Sequence, residues 1–204
     1  MTSSLSYSTP QQFLDACIFA SKTPSQRVKT SFVELSRIAK DGLICEFGVY
    51  RGTTINILAD LFPFRTIDGF DSFCGLPEEW RPGYPAGVFS NPIPSVRPNV
   101  KLHVGWFQDT LPTYVSAVGG VKSSLVHVDC DLYSSSVTCL THLEDTFVDG
   151  TILVFDELWY PDNYKDHEYK ALCELLERMA SKSQSLEYVG NLHDESFAFV
   201  VRSS

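Results

Sequence analysis

Leu43-Ile44-Cys45-Glu46-Phe47-Gly48-Val49-Tyr50-Arg51-Gly52-Thr53 is the stretch on which the fold reading turns. Its first five residues form a short run, apolar except for Glu46. Such a run suits a strand covered on both faces. Gly48 and Gly52 then mark a tight turn where backbone can approach a ligand closely. An apolar helix is expected from Thr53 to Phe62.

The same rhythm continues outward. Strands are expected at 66–70, 100–104, 124–129 and 151–155, with helices near 108–118, 134–148 and 166–182. The final runs, 186–189 and 197–201, read as a terminal antiparallel hairpin. Alternating strands and helices imply a mostly parallel sheet covered by helices on both faces. On the N-terminal side, 11–21 and 25–40 read as two helices, the second capped from Thr23-Pro24-Ser25. Residues 1–40 are therefore expected to form a helical cap on a main domain at 41–204. The stretch 72–98 is rich in Pro and Gly and has no periodicity, as in a lid or binding loop.

Bulk properties restrict the function classes. The chain has 204 residues, 44% of them hydrophobic, enough for one sizeable α/β domain. A net charge of −9 argues against a nucleic-acid binder. No apolar run is long enough for a membrane span. The opening residues lack a secretion-signal pattern, and the six cysteines are scattered without a CxxC pair. A cytoplasmic setting with reduced thiols is expected.

The first turn reads G-x-x-x-G after an acid, where a pyrophosphate site shows G-x-G-x-x-G. A dinucleotide dehydrogenase is thereby disfavoured. S-adenosylmethionine (SAM) carries an ammonium and a sulfonium and no phosphate, so an acid such as Glu46 suits it. Asp71, at the end of the second strand, is placed to accept hydrogen bonds from ribose hydroxyls. Asp68 is the competitor, but it lies inside the strand.

The fourth and fifth strands both end in acids, Asp129-Cys130-Asp131 and Asp156-Glu157. Parallel neighbours bring these ends together, and clustered carboxylates call for a cation or a proton. Asp129, Asp156 and Glu157 are the expected ligands of Mg²⁺ or another hard divalent cation, with Asp131 beside them. The alternative is that Asp131 and Asp156 simply cap turns and helices. His127, inside a strand, reads as a core residue rather than a ligand. His103, His142 and His193 have no distinctive setting, and His167 lies near the expected pocket mouth.

Several segments together resemble the macrocin O-methyltransferase family of class I SAM-dependent methyltransferases. They are Glu46-Phe47-Gly48-Val49, the run from Gly69 to Glu78, Gly105-Trp106-Phe107, His127 to Tyr133, and Phe155-Asp156-Glu157. The resemblance spans roughly residues 40–200. It implies a Rossmann-like class I methyltransferase fold: a seven-stranded, mostly parallel sheet with a terminal antiparallel hairpin. It also implies O-methylation of a small molecule such as a sugar, polyol or aromatic natural product, commonly with a divalent metal. By position, Glu46, Gly48, Val49, Tyr50, Gly52, Thr53, Asp71, Ser72, Trp106, Phe107 and Asp129 would hold SAM. Asp129, Asp156 and Glu157 match the metal positions, although many members carry two aspartates in place of Asp156-Glu157.

Asp129 or Asp131 is the expected general base. Trp80, Tyr84, Tyr133, Trp159 and Tyr164 are candidate walls around an acceptor ring, and the segment 159–164 is expected to influence substrate choice. A homodimer through the N-terminal helices is a further expectation. Two other readings compete. One is a glycosyltransferase using Asp-x-Asp to hold Mn²⁺ and a nucleotide sugar. The other is a SAM-binding protein without turnover.

Overall fold

The computed structural model describes residues 7–159 and 163–204. The opening residues 1–6, read above for a leader, and 160–162 of the candidate substrate segment lie outside the described residues. Among the described residues, no helix is long and apolar enough to cross a membrane.

The chain runs α1 (Pro10–Lys22), α2 (Phe32–Ile38), β1 (Leu43–Phe47), α3 (Thr53–Leu61), β2 (Ile67–Asp71), β3 (Val100–Val104), α4 (Phe107–Val118), β4 (Ser123–Val128), α5 (Tyr133–Leu143), β5 (Ile152–Phe155), α6 (Glu168–Ser181), β6 (Gln184–Asn191) and β7 (Phe197–Ser203). These strands make one seven-stranded sheet in the order β3-β2-β1-β4-β5-β7-β6. Strands β1 to β5 pair in parallel, while β7 is antiparallel to both β5 and β6. Strand order reverses between β1 and β4, so the crevice beyond their carboxyl ends is the expected ligand position.

Alternating strand residues build two cores. Cys45, Phe47, Val126 and Val128 pack with α1, α4, α5 and α6 on one face. Ile44, Leu125, Ile152 and Val154 pack with α2 and α3 on the other. Leu14, Cys17 and Ile18 of α1 belong to the first core and Leu35 of α2 to the second.

Two boundaries differ from the sequence reading. The second helix is Phe32–Ile38, not 25–40. Thr30 N–H donates to the Asn191 carbonyl and Asn191 N–H to the Val28 carbonyl, so 28–30 is drawn out along the terminal hairpin. Ser31 is the true cap, accepting from Glu34 N–H at 3.2 Å. The fifth helix ends at Leu143, and a 3-10 turn over Glu144–Thr146 replaces its expected last turn.

Gly48 is the position that joins the two halves of the crevice. Its φ is +91°, and a Cβ there would lie 1.7 Å from the Asp129 carbonyl oxygen. Only glycine lets the β1 turn lie directly against the β4 loop. Ladder bonds continue past the strand ends, from Asp129 N–H to Phe47 and from Asp156 N–H to Val128. The acidic loops are thus stacked in register beside the glycine turn.

Candidate functional site

A cavity of about 510 Å³ opens at the reversal point. One wall comes from Gly48, Tyr50, Asp71, Ser72 and the Gly105–Gln108 turn; the facing wall holds Asp129, Cys130, Asp131 and Glu157. Ser134, Ser135 and Thr138 of α5 complete that wall, while Gly75–Glu78 and Phe89 from the long loop cover the cavity.

The first wall is held by its own chain. Asp71 Oδ2 accepts from Val49 N–H (2.9 Å) and Tyr50 N–H (2.8 Å), and Oδ1 accepts from Phe73 N–H (2.7 Å). One carboxylate therefore fixes both the glycine turn and the start of the long loop. Charge-assisted bonds of this kind are among the stronger hydrogen bonds in proteins.

The second wall is electrostatically crowded. Asp131 has φ +62°, and Leu132 N–H closes a tight turn around it onto the Cys130 carbonyl at 2.6 Å. Burial, with Asp156 adding repulsion and Arg81 opposing it, pushes Asp131 up to about 7. Burial, reinforced by Asp131, Asp129 and Asp156, pushes Glu157 up to about 9. Asp129 is raised by burial and then by Asp156. Asp156 moves the other way: burial raises it, but the facing imidazoles of His127 and His193 outweigh this and lower it.

Beneath the loops lies a chain of polar groups. His193 Nε2 stands 3.0 Å from Asp156 Oδ1. His127 Nε2 stands 3.6 Å from that same oxygen, and His127 Nδ1 is 3.3 Å from Glu46 Oε2. Burial alone would lower His127, but Asp156 and Glu46 more than offset it and raise the imidazole. His127, Asp129 and Asp156 each offer one ligand atom, all within 4.8 Å of one another. Two buried atoms here make no hydrogen bond: His127 Nε2 and Glu157 Oε2.

The structure sorts the sequence-predicted residues. Gly48, Tyr50, Asp71, Ser72, Trp106, Phe107, Asp129, Asp131 and Glu157 line the cavity. Glu46 does not: strand alternation turns it away from Phe47, and it lies 1% exposed against His127. Val49 packs into the second core, Gly52 caps α3, and Thr53 begins that helix. Asp156 lies just behind the wall. Neither Asp131 nor Asp156 acts as a helix cap: the residue preceding α5 is Leu132, with no side-chain cap bond.

The candidate aromatic walls lie outside the cavity lining, each with a packing reason. Trp80 and Tyr84 form a satellite core with Leu76 and Leu132. Tyr133 donates to Glu174 at 3.0 Å. Trp159 donates to the Asp194 carbonyl, and Tyr164 packs edge-on against Tyr169. His167 sits 2.7 Å from the Asn163 amide, against Trp80.

Other residues went unnoticed in the sequence. His193 reaches Asp156 only because the β6–β7 turn docks on the β5 loop, where Leu158 N–H donates to the Glu195 carbonyl at 3.0 Å. Glu168 is fully buried and bridges the two acidic loops, accepting from Cys130 N–H (3.2 Å) and Glu157 N–H (3.4 Å). The signal for Glu168 was an acid on the apolar stripe of α6, in helical step with Leu172, Leu175 and Met179.

Comparisons with known proteins agree with this architecture. Residues 95–180 match the family model of the macrocin-O-methyltransferases (TylF). The calicheamicin methyltransferase CalS11 is similar in structure, with TM-score 0.66 and 22% identity, over 94% of this chain and 91% of that one. The O-methyltransferase NovP superposes with TM-score 0.60 at 17% identity, over 96% of this chain and 100% of that one. An O-methyltransferase from Bacillus cereus, solved with S-adenosylhomocysteine (SAH), gives TM-score 0.51 at 14% identity, over 95% and 91%. No curated protein matches the chain by sequence. The fold is that of the class I methyltransferases, and over residues 95–180 the family model matches the resemblance read from the motifs. The enzyme class read from the sequence is that of the matching family model and of these structures.

Proposed function

We propose, proceeding from that likeness to the macrocin-O-methyltransferases, that this chain is a SAM-dependent O-methyltransferase. Its acceptor is a hydroxyl of a small molecule, such as a sugar, polyol or aromatic natural product, and a divalent cation assists. The observation that carries the reading is the shared cavity. A backbone-built wall, Gly48–Tyr50 with Trp106–Phe107, faces the acids Asp129, Asp131 and Glu157 across about 510 Å³. That volume lies inside the range of small-molecule sites, roughly 300–1,000 Å³. The acid-rich wall suits a ligand bearing an ammonium and a sulfonium.

A cation fits the residues present. Oxygens of Asp129 and Asp156 converge, and Glu157 Oε2 is buried without a partner. Asp129 and Asp156 would hold the ion, with Glu157 beside them. When bound, SAM supplies the electrophilic methyl group, and the cation supplies charge that acidifies the acceptor hydroxyl.

The chain's own residues do the rest. The glycine turn and the Trp106–Phe107 turn orient one reactant, and Ser134, Ser135 and Thr138 offer hydroxyls to the other. Alignment is the main contribution to a displacement of this type. Asp131 accepts the hydroxyl proton at its carboxylate, and a value near 7 suits a general base at neutral pH. Its left-handed backbone is strain held at the reacting edge. Gly75–Glu78 and Phe89 limit access of water. All six cysteines are free, consistent with a cytoplasmic setting.

The test is incubation with methyl-labelled SAM and a panel of nucleotide sugars, free sugars and catechols. Label is expected in a hydroxylated acceptor and is expected to fall on chelation with EDTA. Undiminished transfer under EDTA would remove the cation but leave the methyltransferase. Binding of a nucleotide diphosphate, with neither transfer nor SAH binding, would favour the glycosyltransferase reading instead.

A further inference from the structure

The cation reading leaves one buried atom unexplained. His127 is 1% exposed, its Nε2 makes no hydrogen bond and faces Asp156 Oδ1 at 3.6 Å, and one ligand atom each of His127, Asp129 and Asp156 lie within 4.8 Å of one another. That separation is too long for a hydrogen bond, and it suits two ligands that meet through an ion between them. The other ring nitrogen, Nδ1, is already engaged by Glu46 Oε2 at 3.3 Å. Glu46 is itself 1% exposed, an acid with no access to the cavity. Phe32 packs edge-on against the ring at 5.4 Å between centroids and limits its rotation. A carboxylate behind an imidazole, with the free nitrogen aimed at converging oxygens, is the usual arrangement behind a metal-ligating histidine.

We propose that the cation centre is a mixed nitrogen and oxygen site. Nε2 of His127 joins carboxylate oxygens of Asp129 and Asp156, and Glu46 orients the imidazole from behind. This rests on the cation assigned under Proposed function and narrows its identity. Carboxylates alone suit Mg²⁺, whereas an imidazole ligand favours divalent transition ions such as Mn²⁺, Fe²⁺, Co²⁺ or Zn²⁺. Glu46 is thereby a positioning residue for the metal ligand and not a contact of SAM.

The experiment uses metal-stripped full-length protein, with Co²⁺ and Mg²⁺ titrated separately and SAH binding measured on every sample. The wild type is expected to bind Co²⁺ at least about tenfold more tightly than Mg²⁺. Glu46→Gln is expected to weaken Co²⁺ by about 10–100-fold. Combining it with His127→Phe avoids a stranded buried acid and is expected to abolish the preference for Co²⁺. Retained SAH binding shows that the variants are folded. Should they not fold, Mn²⁺ added to the wild type gives a second readout: electron-spin-echo modulation from a ligated imidazole nitrogen. Equal affinity of the wild type for Co²⁺ and Mg²⁺, an undiminished Co²⁺ preference in folded variants, or no nitrogen modulation would each overturn the proposal. Loss of SAH binding by the folded wild type would instead sink the methyltransferase reading.

Discussion

The two walls of the cavity are built on opposite terms. On the β1–β2 side, backbone amides meet a carboxylate that satisfies them: Asp71 accepts from Val49, Tyr50 and Phe73. On the β4–β5 side, Asp129, Asp131 and Glu157 crowd together, Asp131 and Glu157 are raised, and Glu157 Oε2 and His127 Nε2 make no hydrogen bond. One wall is finished by its own chain. The other, on the function proposed above, is completed by a cation and a reacting hydroxyl. The proposed function divides binding from chemistry along the same line: the preformed surface would take the constant partner, and the strained, crowded groups would do the variable work.

The most severe way to break the contrast is at the seam. Gly48→Ala places a Cβ 1.7 Å from the Asp129 carbonyl oxygen in a left-handed backbone. A loss of more than about 4 kcal/mol in unfolding free energy is expected, read by denaturant titration, together with loss of SAH binding. Next is the base. Asp131→Asn is expected to lower turnover by about 10²–10⁴-fold while leaving SAH binding intact, which separates the two walls kinetically. Asp71→Ala acts on the finished wall, and a loss of about 2 kcal/mol of stability is expected with much weaker SAH binding.

The pH dependence sharpens the difference. Asp131 and Glu157 have ordinary values of 3.8 and 4.5 and rise to about 7 and about 9 in the folded chain. The native state therefore keeps protons that the unfolded chain has released. Their contribution to stability is full below the ordinary values and is lost as pH rises through about 7 and then about 9. Asp156 is lowered, so its contribution is lost as pH falls. Metal-free protein is expected to melt at progressively lower temperature from weakly acidic to alkaline pH, and a divalent cation is expected to flatten that trend. The smallest effect belongs outside both walls. Tyr133→Phe removes a half-buried bond to Glu174 and is expected to cost under about 1 kcal/mol, with turnover unchanged.

How legible each part was in the sequence follows the same division. The sheet, its terminal hairpin and the glycine turn were readable because continuous apolar runs and glycine spacing are local signals. The acids were readable because they sit at strand ends. Glu46 was expected at the cavity from its nearness in sequence to Gly48, which says nothing of side-chain direction: alternation turns it to the opposite face from Phe47, and it is absent from the cavity lining. His127 is buried, as its place inside a strand implies, but its partners come from β1 and from the end of β5 and leave no local trace. His193 depends on hairpin docking across the β5 loop, a tertiary event with no local trace. The second helix was over-extended because pairing of Val28 and Thr30 with Asn191 overrode helical spacing.

The most direct measurement of the central claim is calorimetric titration of SAH into wild-type protein and Asp71→Ala. Saturable micromolar binding by the wild type, much weakened in the variant, is the predicted result. A folded wild type that takes up no SAH would contradict the account.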